Sequence, residues 1–493
     1  MVRRSWLGLT VAGMLIAGGV AWAANRPPTQ ADEPRPSALD EIPEYAVDAP
    51  NTPPLITDEG EAVPQDIESN AEAIPPSASE VPAIEEQVLE AEVNEAAENS
   101  RCKQYEPGYF ISNREGMLRI NVWGRVDFRA FNHSSIGINE FLVRRARVNF
   151  RGVLDEDWAY FAGAQLEGPT VKLFEAWIEY RRWKSVRFRA GQFKEPFSYE
   201  QLLALAWLPF LERSMGPQNL APARDIGLQM FGAGWDQRLV YAVGIFNGDG
   251  PNTDDTNPSK EAAGRLVLTP WYTGCNIWLK NLSVGGSFTT GMMAHSVSGV
   301  KFVTEPDTPF LTFASKSGPV VNVFQKGWQQ RWGAEVEWLV KWFKMYGEYI
   351  WAKRHNLTKT TIVGPRLPPH TTKADMVNSS WYAAALVVLT GEPEVRDGPI
   401  APCRPVGHCG GWGAWEAGFR YDTFHTNEEP FDAGIVTGTR TVDAWTAGLN
   451  WYPTVHTRMS ANVYRAHFDE DLFFYGRPFS AETAYIIAAQ FYY

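Results

Sequence analysis

The sequence predicts an all-β fold, a transmembrane antiparallel β-barrel, and three observations carry that reading. Stretches in which apolar and polar residues alternate with a period of two recur from residue 118 toward the end of the sequence, as in strands with two unlike faces. After residue 24 no apolar run approaches the roughly eighteen residues of a spanning helix. Strands closed into a barrel then remain the way to cross a membrane with every backbone N–H and C=O paired. The closing stretch TAYIIAAQFYY sets Tyr485, Ile487, Ala489, Phe491 and Tyr493 on one outward face that runs to a terminal aromatic residue, whereas the ends of soluble domains are usually frayed and polar.

Residues 1–23 read as a signal peptide. Arg3 and Arg4 precede an uncharged run from Trp6 to Trp22, and Ala21-Trp22-Ala23 supplies the small-residue cleavage site. From Ala24 to Ser100 the chain carries nineteen Asp and Glu, two Arg, twelve Pro and a single aromatic, Tyr45. Residues 24–100 therefore lack the apolar surface for a core and read as an extended, disordered acidic linker, with Val81, Ile84, Val88 and Val93 fitting a short helix at its end. The linker masks the charge of the remaining chain. The whole chain is −12, but with +2 in the signal segment and −17 in the linker, residues 101–493 come to +3. So small an excess excludes a general nucleic-acid-binding role.

Residues 101–493 form the barrel domain. In MLRINVWGRVDFRAF, Arg119, Asn121, Trp123, Arg125, Asp127 and Arg129 share one face, and Leu118, Ile120, Val122, Val126 and Phe128 the other. Further along, Phe174, Ala176, Ile178 and Tyr180 oppose Glu175, Trp177 and Glu179, and Trp415, Ala417, Phe419 and Tyr421 oppose Glu416, Arg420 and Asp422. Turn clusters at 247–260 and 363–370 suit the long loops of one rim. Trp338, Trp342, Trp351, Trp445 and Trp451 lie near strand ends, where aromatic girdles form.

The stretch FLVRRARVNFRG (141–152) places Arg145, Arg147, Asn149 and Arg151 on one face and Ala146, Val148, Phe150 and Gly152 on the other. A soluble sheet would show this as a half-buried strand with a basic outer face. In a barrel, each of the three Arg would cost about 2–4 kcal/mol facing lipid at mid-depth, so they face the lumen. Arg187 and Arg189 alternate with Val186, Phe188 and Ala190 in the same sense. Asp127, Glu175, Glu179 and Glu212 either orient these cations or cancel them, which points to a modest anion preference.

Cys403 and Cys409, in PCRPVGHC, are spaced to staple a loop in an oxidising compartment; one nearby His408 is too few ligands for zinc. Cys102 and Cys275 are left open, paired or free. No metalloprotease, nucleophile-elbow, phosphate-loop or dinucleotide motif occurs, and no cofactor is implied. Glu175 and Glu179 are spaced like a catalytic pair, but wet sheet faces commonly carry such carboxylates in salt bridges.

The chain resembles the phosphate-selective porin O and P family of Gram-negative outer membranes. The resemblance lies in FEAWIEYRRWKSVRFRAGQFKEPFSYEQ (174–201), LERS (211–214), ARDIGLQM (223–230) and YAVGIFNG (241–248). Weaker matches run through WGAEVEWLVKWFKMYGEYIWA (332–352), WYAAALVVLTGE (381–392), AGLNWYP (447–453) and the terminal AAQFYY. It implies a barrel of about sixteen strands, a homotrimer, and an inward-folded constriction loop after GQFKEPFSYE. It also implies passive diffusion of small anions such as phosphate, with outer-membrane lipid and the barrel-assembly machinery as partners. Arg213 matches the arginine of the family's ER pair, and Lys194 lies within GQFKEPF. Arg145, Arg147, Arg151, Arg187 and Arg189 fit the family's arginine ladder in role, and Arg125 and Arg129 are placed with them on the anion pathway. One departure bears on phosphate: where phosphate-selective members carry lysines after the glutamate, Gln201, Leu202, Leu203, Ala204, Leu205 and Ala206 follow Glu200 here. A general solute porin, an outer-membrane barrel enzyme and a secreted sugar-binding β-protein are the alternatives.

Overall fold

The computed structural model describes residues 109–112, 116–133, 136–255, 257–315, 320–362, 368–407, 410–474 and 477–493. The expectations for the signal peptide, the acidic linker, Cys102, His408 and Cys409 fall outside the described residues.

After a short β1 (Tyr109–Ser112), sixteen strands close on themselves: β2 (Gly116–His133), β3 (Ile136–Leu154), β4 (Trp158–Gln165), β5 (Lys172–Tyr180), β6 (Arg187–Lys194), β7 (Arg224–Gly234), β8 (Leu239–Phe246), β9 (Glu261–Leu268), β10 (Leu282–Ser296), β13 (Val320–Val340), β14 (Phe343–Ile362), β15 (His370–Val388), β16 (Ala414–Thr426), β18 (Thr441–Thr454), β19 (Thr457–Phe474) and β20 (Arg477–Tyr492). Each pairs antiparallel with its neighbours, and β20 returns to β2 from Tyr492 opposite Trp123 to Glu482 opposite His133. Three shorter strands, β11 (Lys301–Val303), β12 (Pro309–Phe313) and β17 (Val436–Gly438), make a separate small sheet from two loops.

The wall is turned inside out relative to a soluble protein. Leu228, Ile245, Phe419, Ile487 and Phe491 are exposed outward, while Arg125, Asp127, Glu179, Glu416 and Arg420 are buried inward. On β20 the two faces separate cleanly, with Tyr485, Ile487, Ala489 and Phe491 exposed and Ala484, Ile486, Ala488 and Gln490 buried. An apolar exterior over a polar interior is stable when the exterior meets hydrocarbon. Leu228→Arg, at a position 65% exposed on this belt, is therefore expected to destabilise the barrel by about 2–4 kcal/mol, read from the denaturant midpoint in detergent micelles.

The turns β3–β4, β5–β6, β7–β8 and β13–β14 share a rim, and exposed Trp158, Trp183, Trp235 and Trp342 stand there. Of the tryptophans read as girdle residues, Trp342 is exposed at this rim. Trp338 and Trp451 donate their indole N–H groups to the carbonyls of Trp278 and Trp412 in its longer connections.

An extra residue breaks the alternation at two places that matter for the interior. Arg125 pairs with Arg145 but Val126 with Val143, so Arg144 is a bulge residue on β3. Gly163 pairs with Glu175 but Ala164 with Leu173, so Phe174 is a bulge residue on β5. A bulge re-aims side chains locally. The outward apolar positions accordingly change parity, from Phe141 and Val143 to Phe150 on β3, and from Leu173 to Ile178 on β5. Strict alternation places Phe174 outward with Ile178; the bulge instead turns its ring against lumen-facing arginines.

Residues 195–223, between β6 and β7, cross to the far wall. Glu348 on β14 accepts hydrogen bonds from Ser198 Oγ, the Tyr199 and Glu200 amides and Tyr382 Oη. These bonds fix Ser198 at φ +68°, a conformation that costs a non-glycine residue energy unless its surroundings enforce it. Beyond the short helix Tyr199–Leu202, Asn450 on β18, Arg458 on β19 and Gln490 on β20 donate to the Pro209, Leu208 and Ala206 carbonyls. The loop carrying β11 and β12 also turns inward: Phe302, Phe310 and Phe313 pack with Met376, Phe424 and Val436 into a dry apolar core against the inner wall. On the tryptophan rim the 389–413 connection folds back over β13 and β14, where Arg396 meets Glu337 at 2.6 Å and Lys344 donates to the Val395 and Arg396 carbonyls. Cys403 in this connection is disulfide-bonded, and Cys275 is free and exposed.

Candidate functional site

Glu212 of the inward segment gathers the arginines of β2 and β3. Its Oε1 accepts from Arg125 Nη2 at 2.6 Å, Arg129 Nη2 at 2.9 Å and Arg144 Nε at 2.8 Å, and Arg145 Nη2 stands 3.8 Å from Oε2. Asp127 lies 2.9 Å from Arg125 and 3.1 Å from Arg129, while Asp307 bridges Arg129 and Arg144 at 3.1 and 2.8 Å. Burial alone would raise the Glu212 pKa, but the surrounding guanidiniums hold it well below the usual carboxylate range. Arg125 and Arg129, only 1% and 2% exposed, are thus committed to fastening the segment to β2.

Beside this cluster lies a group of cations with fewer counter-charges. Arg147 sits over the rings of Trp123 at 5.3 Å and Phe174 at 4.7 Å. Arg224, at the start of β7, lies 4.8 Å from the same Phe174 ring and donates Nε to Glu175 at 2.7 Å. Arg213 donates to the carbonyls of Glu200, Gln201 and Leu203 at 2.9 to 3.2 Å. Lys194 donates to those of Leu202 and Leu203 at 2.5 and 2.9 Å. Among the described residues no carboxylate stands within ion-pair distance of Arg147 or Arg213. The charges of Arg224, Arg145 and Arg213 act on Arg147 and outnumber the counter-charge of Glu167 there, so the four form one electropositive patch. Burial and the like charge of Arg224 bring the Arg213 pKa down to about 10, which leaves it protonated at neutral pH.

Arg187 and Arg189 are more fully compensated. Glu179 accepts from Arg189 Nη2 at 2.7 Å and lies 3.6 Å from Arg187. Arg151 is opposite Arg119 on β2 and Phe161 on β4, on the same face as Arg147. Glu175 and Glu179 each hold an arginine and do not converge on a common point.

Sequence reasoning missed Arg144, Arg224 and Phe174. Arg224 stands in the ARDIG motif, and the parity change from Phe141 and Val143 to Val148 and Phe150 marks the slip at Arg144. Nothing local marks Asp307 or Glu305, which reach the lumen from the β11–β12 loop; Glu305 pairs there with Arg420.

No curated protein sequence matches the chain. Solved structures with a similar course include an outer-membrane protein of Vibrio cholerae, OmpT, at 11% identity and a TM-score of 0.47, covering 78% of this chain and 100% of that one. The outer membrane channel DcaP of Acinetobacter baumannii matches at 9% identity and a TM-score of 0.48, covering 79% and 100%. OprB of Pseudomonas putida matches at 10% identity and a TM-score of 0.45, covering 77% and 94%. The sequence model of one family, phosphate-selective porin O and P, matches residues 117–471, most of the barrel. With that match added to the closed sixteen-stranded wall, the chain belongs to the phosphate-selective porin O and P family.

Proposed function

We propose that the protein is an outer-membrane porin that passes small anions with modest preference over cations. The observation that carries this reading is the patch of Arg145, Arg147, Arg213 and Arg224, in which Arg147 and Arg213 have no carboxylate partner among the described residues. A permeating anion sheds water at a constriction, and fixed cations offset that loss provided they do not hold it too long. Arginine suits the task because its charge persists and its fork offers paired hydrogen bonds to oxyanions. Trp123 and Phe174 pin Arg147, and backbone carbonyls pin Arg213, so the charges are oriented in advance.

The packed loops occupy the inner side of β14–β20, which favours a path along β3–β9, where the patch lies. The apolar residues Leu203, Leu205, Ala206 and Leu208 are buried with Tyr346 and Tyr382 and contribute no cation to that path. This favours small anions in general over phosphate alone. In the same reading residues 1–23 direct export, residues 24–100 are an acidic linker, and three copies assemble in lipid after delivery by the barrel-assembly machinery. The bonding of Glu175 and Glu179 to arginines favours a passive channel over a barrel enzyme.

The test is fractionation, then liposome swelling. The protein is expected in the outer membrane with heat-modifiable migration, and to admit small anionic solutes faster than cationic ones of equal size. Recovery as a soluble protein, or equal rates, defeats the reading. Deleting most of residues 24–100 is expected to leave insertion and swelling rates unchanged.

A further inference from the structure

We propose that Phe174 is a positioning residue that holds Arg147 and Arg224 together as a two-cation cradle for a small divalent oxyanion. The inference rests on the anion-path reading and adds to it what makes two like charges stay at one place. Both guanidiniums lie against the same ring, at 4.7 and 4.8 Å. Cations are attracted to an aromatic face, more strongly where water is excluded. A shared ring thereby counters part of the repulsion that would otherwise drive the arginines apart, and it leaves the Arg147 fork and the Nη groups of Arg224, whose Nε is held by Glu175, to turn toward an ion.

The wall is shaped to put that ring there. The bulge on β5 takes Phe174 out of the outward row. Opposite, Gly163 leaves open the space into which the ring folds: a Cβ at Gly163 would overlap Phe174 Cε1 and crowd Phe161. Phe161 closes on Phe174 edge-on at 6.0 Å and stacks on Trp177 at 5.6 Å, and Trp177 carries Arg189 at 4.1 Å. The result is an aromatic shelf with guanidiniums laid along it. The carboxylates of this neighbourhood include Glu175, bonded to Arg224, Glu179, bonded to Arg189, Glu167, whose charge acts on both Arg145 and Arg147, and Glu212 near Arg145; among the described residues none stands within ion-pair distance of Arg147. A doubly charged oxyanion gains from both forks at once, whereas chloride meets them one at a time.

The experiment is block of the chloride current by inorganic sulfate in planar bilayers holding the full-length protein. Phe174→Leu keeps an apolar side chain but removes the ring, and is expected to weaken sulfate block roughly tenfold. Gly163→Ala leaves Phe174 in the chain but displaces its ring, and is expected to weaken block in the same direction. Phe174→Trp is expected to retain it. Heat-modifiable migration is checked for each variant, and if Phe174→Leu fails to assemble, the contrast of Gly163→Ala with Phe174→Trp decides. Equal block in wild type, Phe174→Leu and Gly163→Ala overturns the proposal, as does absence of sulfate block in the wild type. Arg147→Gln and Arg224→Gln separate the two levels. If they lower anion preference while the Phe174 variants change nothing, the positioning role alone fails. If they too leave the preference unchanged, the anion path itself is wrong.

Discussion

The triple variant R145E/R147E/R151E is expected to insert and migrate like the wild type yet to favour potassium over chloride. All three side chains lie on the inward face of β3, so no charge enters lipid and the cost that a lipid-facing charge carries does not arise. Three positive charges beside Arg213 and Arg224 become three negative ones, which swamps the remaining excess. Glu212 keeps Arg125, Arg129 and Arg144 as partners, so the inward segment stays fastened. Zero-current potentials across a potassium chloride gradient measure the change. An unchanged anion preference would mean that the ion path avoids β3.

Glu212→Gln is expected to have the largest structural effect of any single substitution inside the barrel. It removes the carboxylate shared by Arg125, Arg129, Arg144 and Arg145 while the first two remain buried. Breaking a buried ion pair by removing one partner typically costs about 3–5 kcal/mol, because the other charges are left uncompensated. Asp127 and Asp307 still serve the cluster, so the wall is expected to survive while residues 195–223 loosen. The readouts are larger, noisier single-channel currents and faster proteolysis of that segment. Because the Glu212 pKa is lowered on folding, its contribution is full above the ordinary carboxylate range and fades only as pH falls below it. Wild-type channels are accordingly expected to stay quiet through neutral pH and become noisy under strong acid.

The wall was legible in the sequence because a barrel in lipid imposes a period of two on every strand. Leu118 to Ala130 display it, Tyr485 to Tyr493 mark the outward row although Ile486 and Ala488 make the inward face apolar too, and the basic face of β3 follows from the cost of charge in hydrocarbon. The interior was less legible, for two physical reasons. A single bulge shifts parity, so Arg144 and Phe174 point where simple alternation does not send them. The counter-charges come from loops distant in sequence: Glu212 lies 87 residues from Arg125, and Asp307 lies 178 from Arg129. No local pattern encodes such pairings. The β11–β12 loop did carry a hint, since Phe302, Phe310, Leu311 and Phe313 are too apolar for a connection that stays on a wet rim.

The most direct test of an arginine-lined anion path is the sign of the zero-current potential of the wild-type channel across a potassium chloride gradient at neutral pH. The expected result is a potential of the sign set by chloride, smaller than that of an ideally anion-selective membrane and reduced as total salt rises and screens the patch. A potential near zero at low salt, or one of the sign set by potassium, would contradict the account.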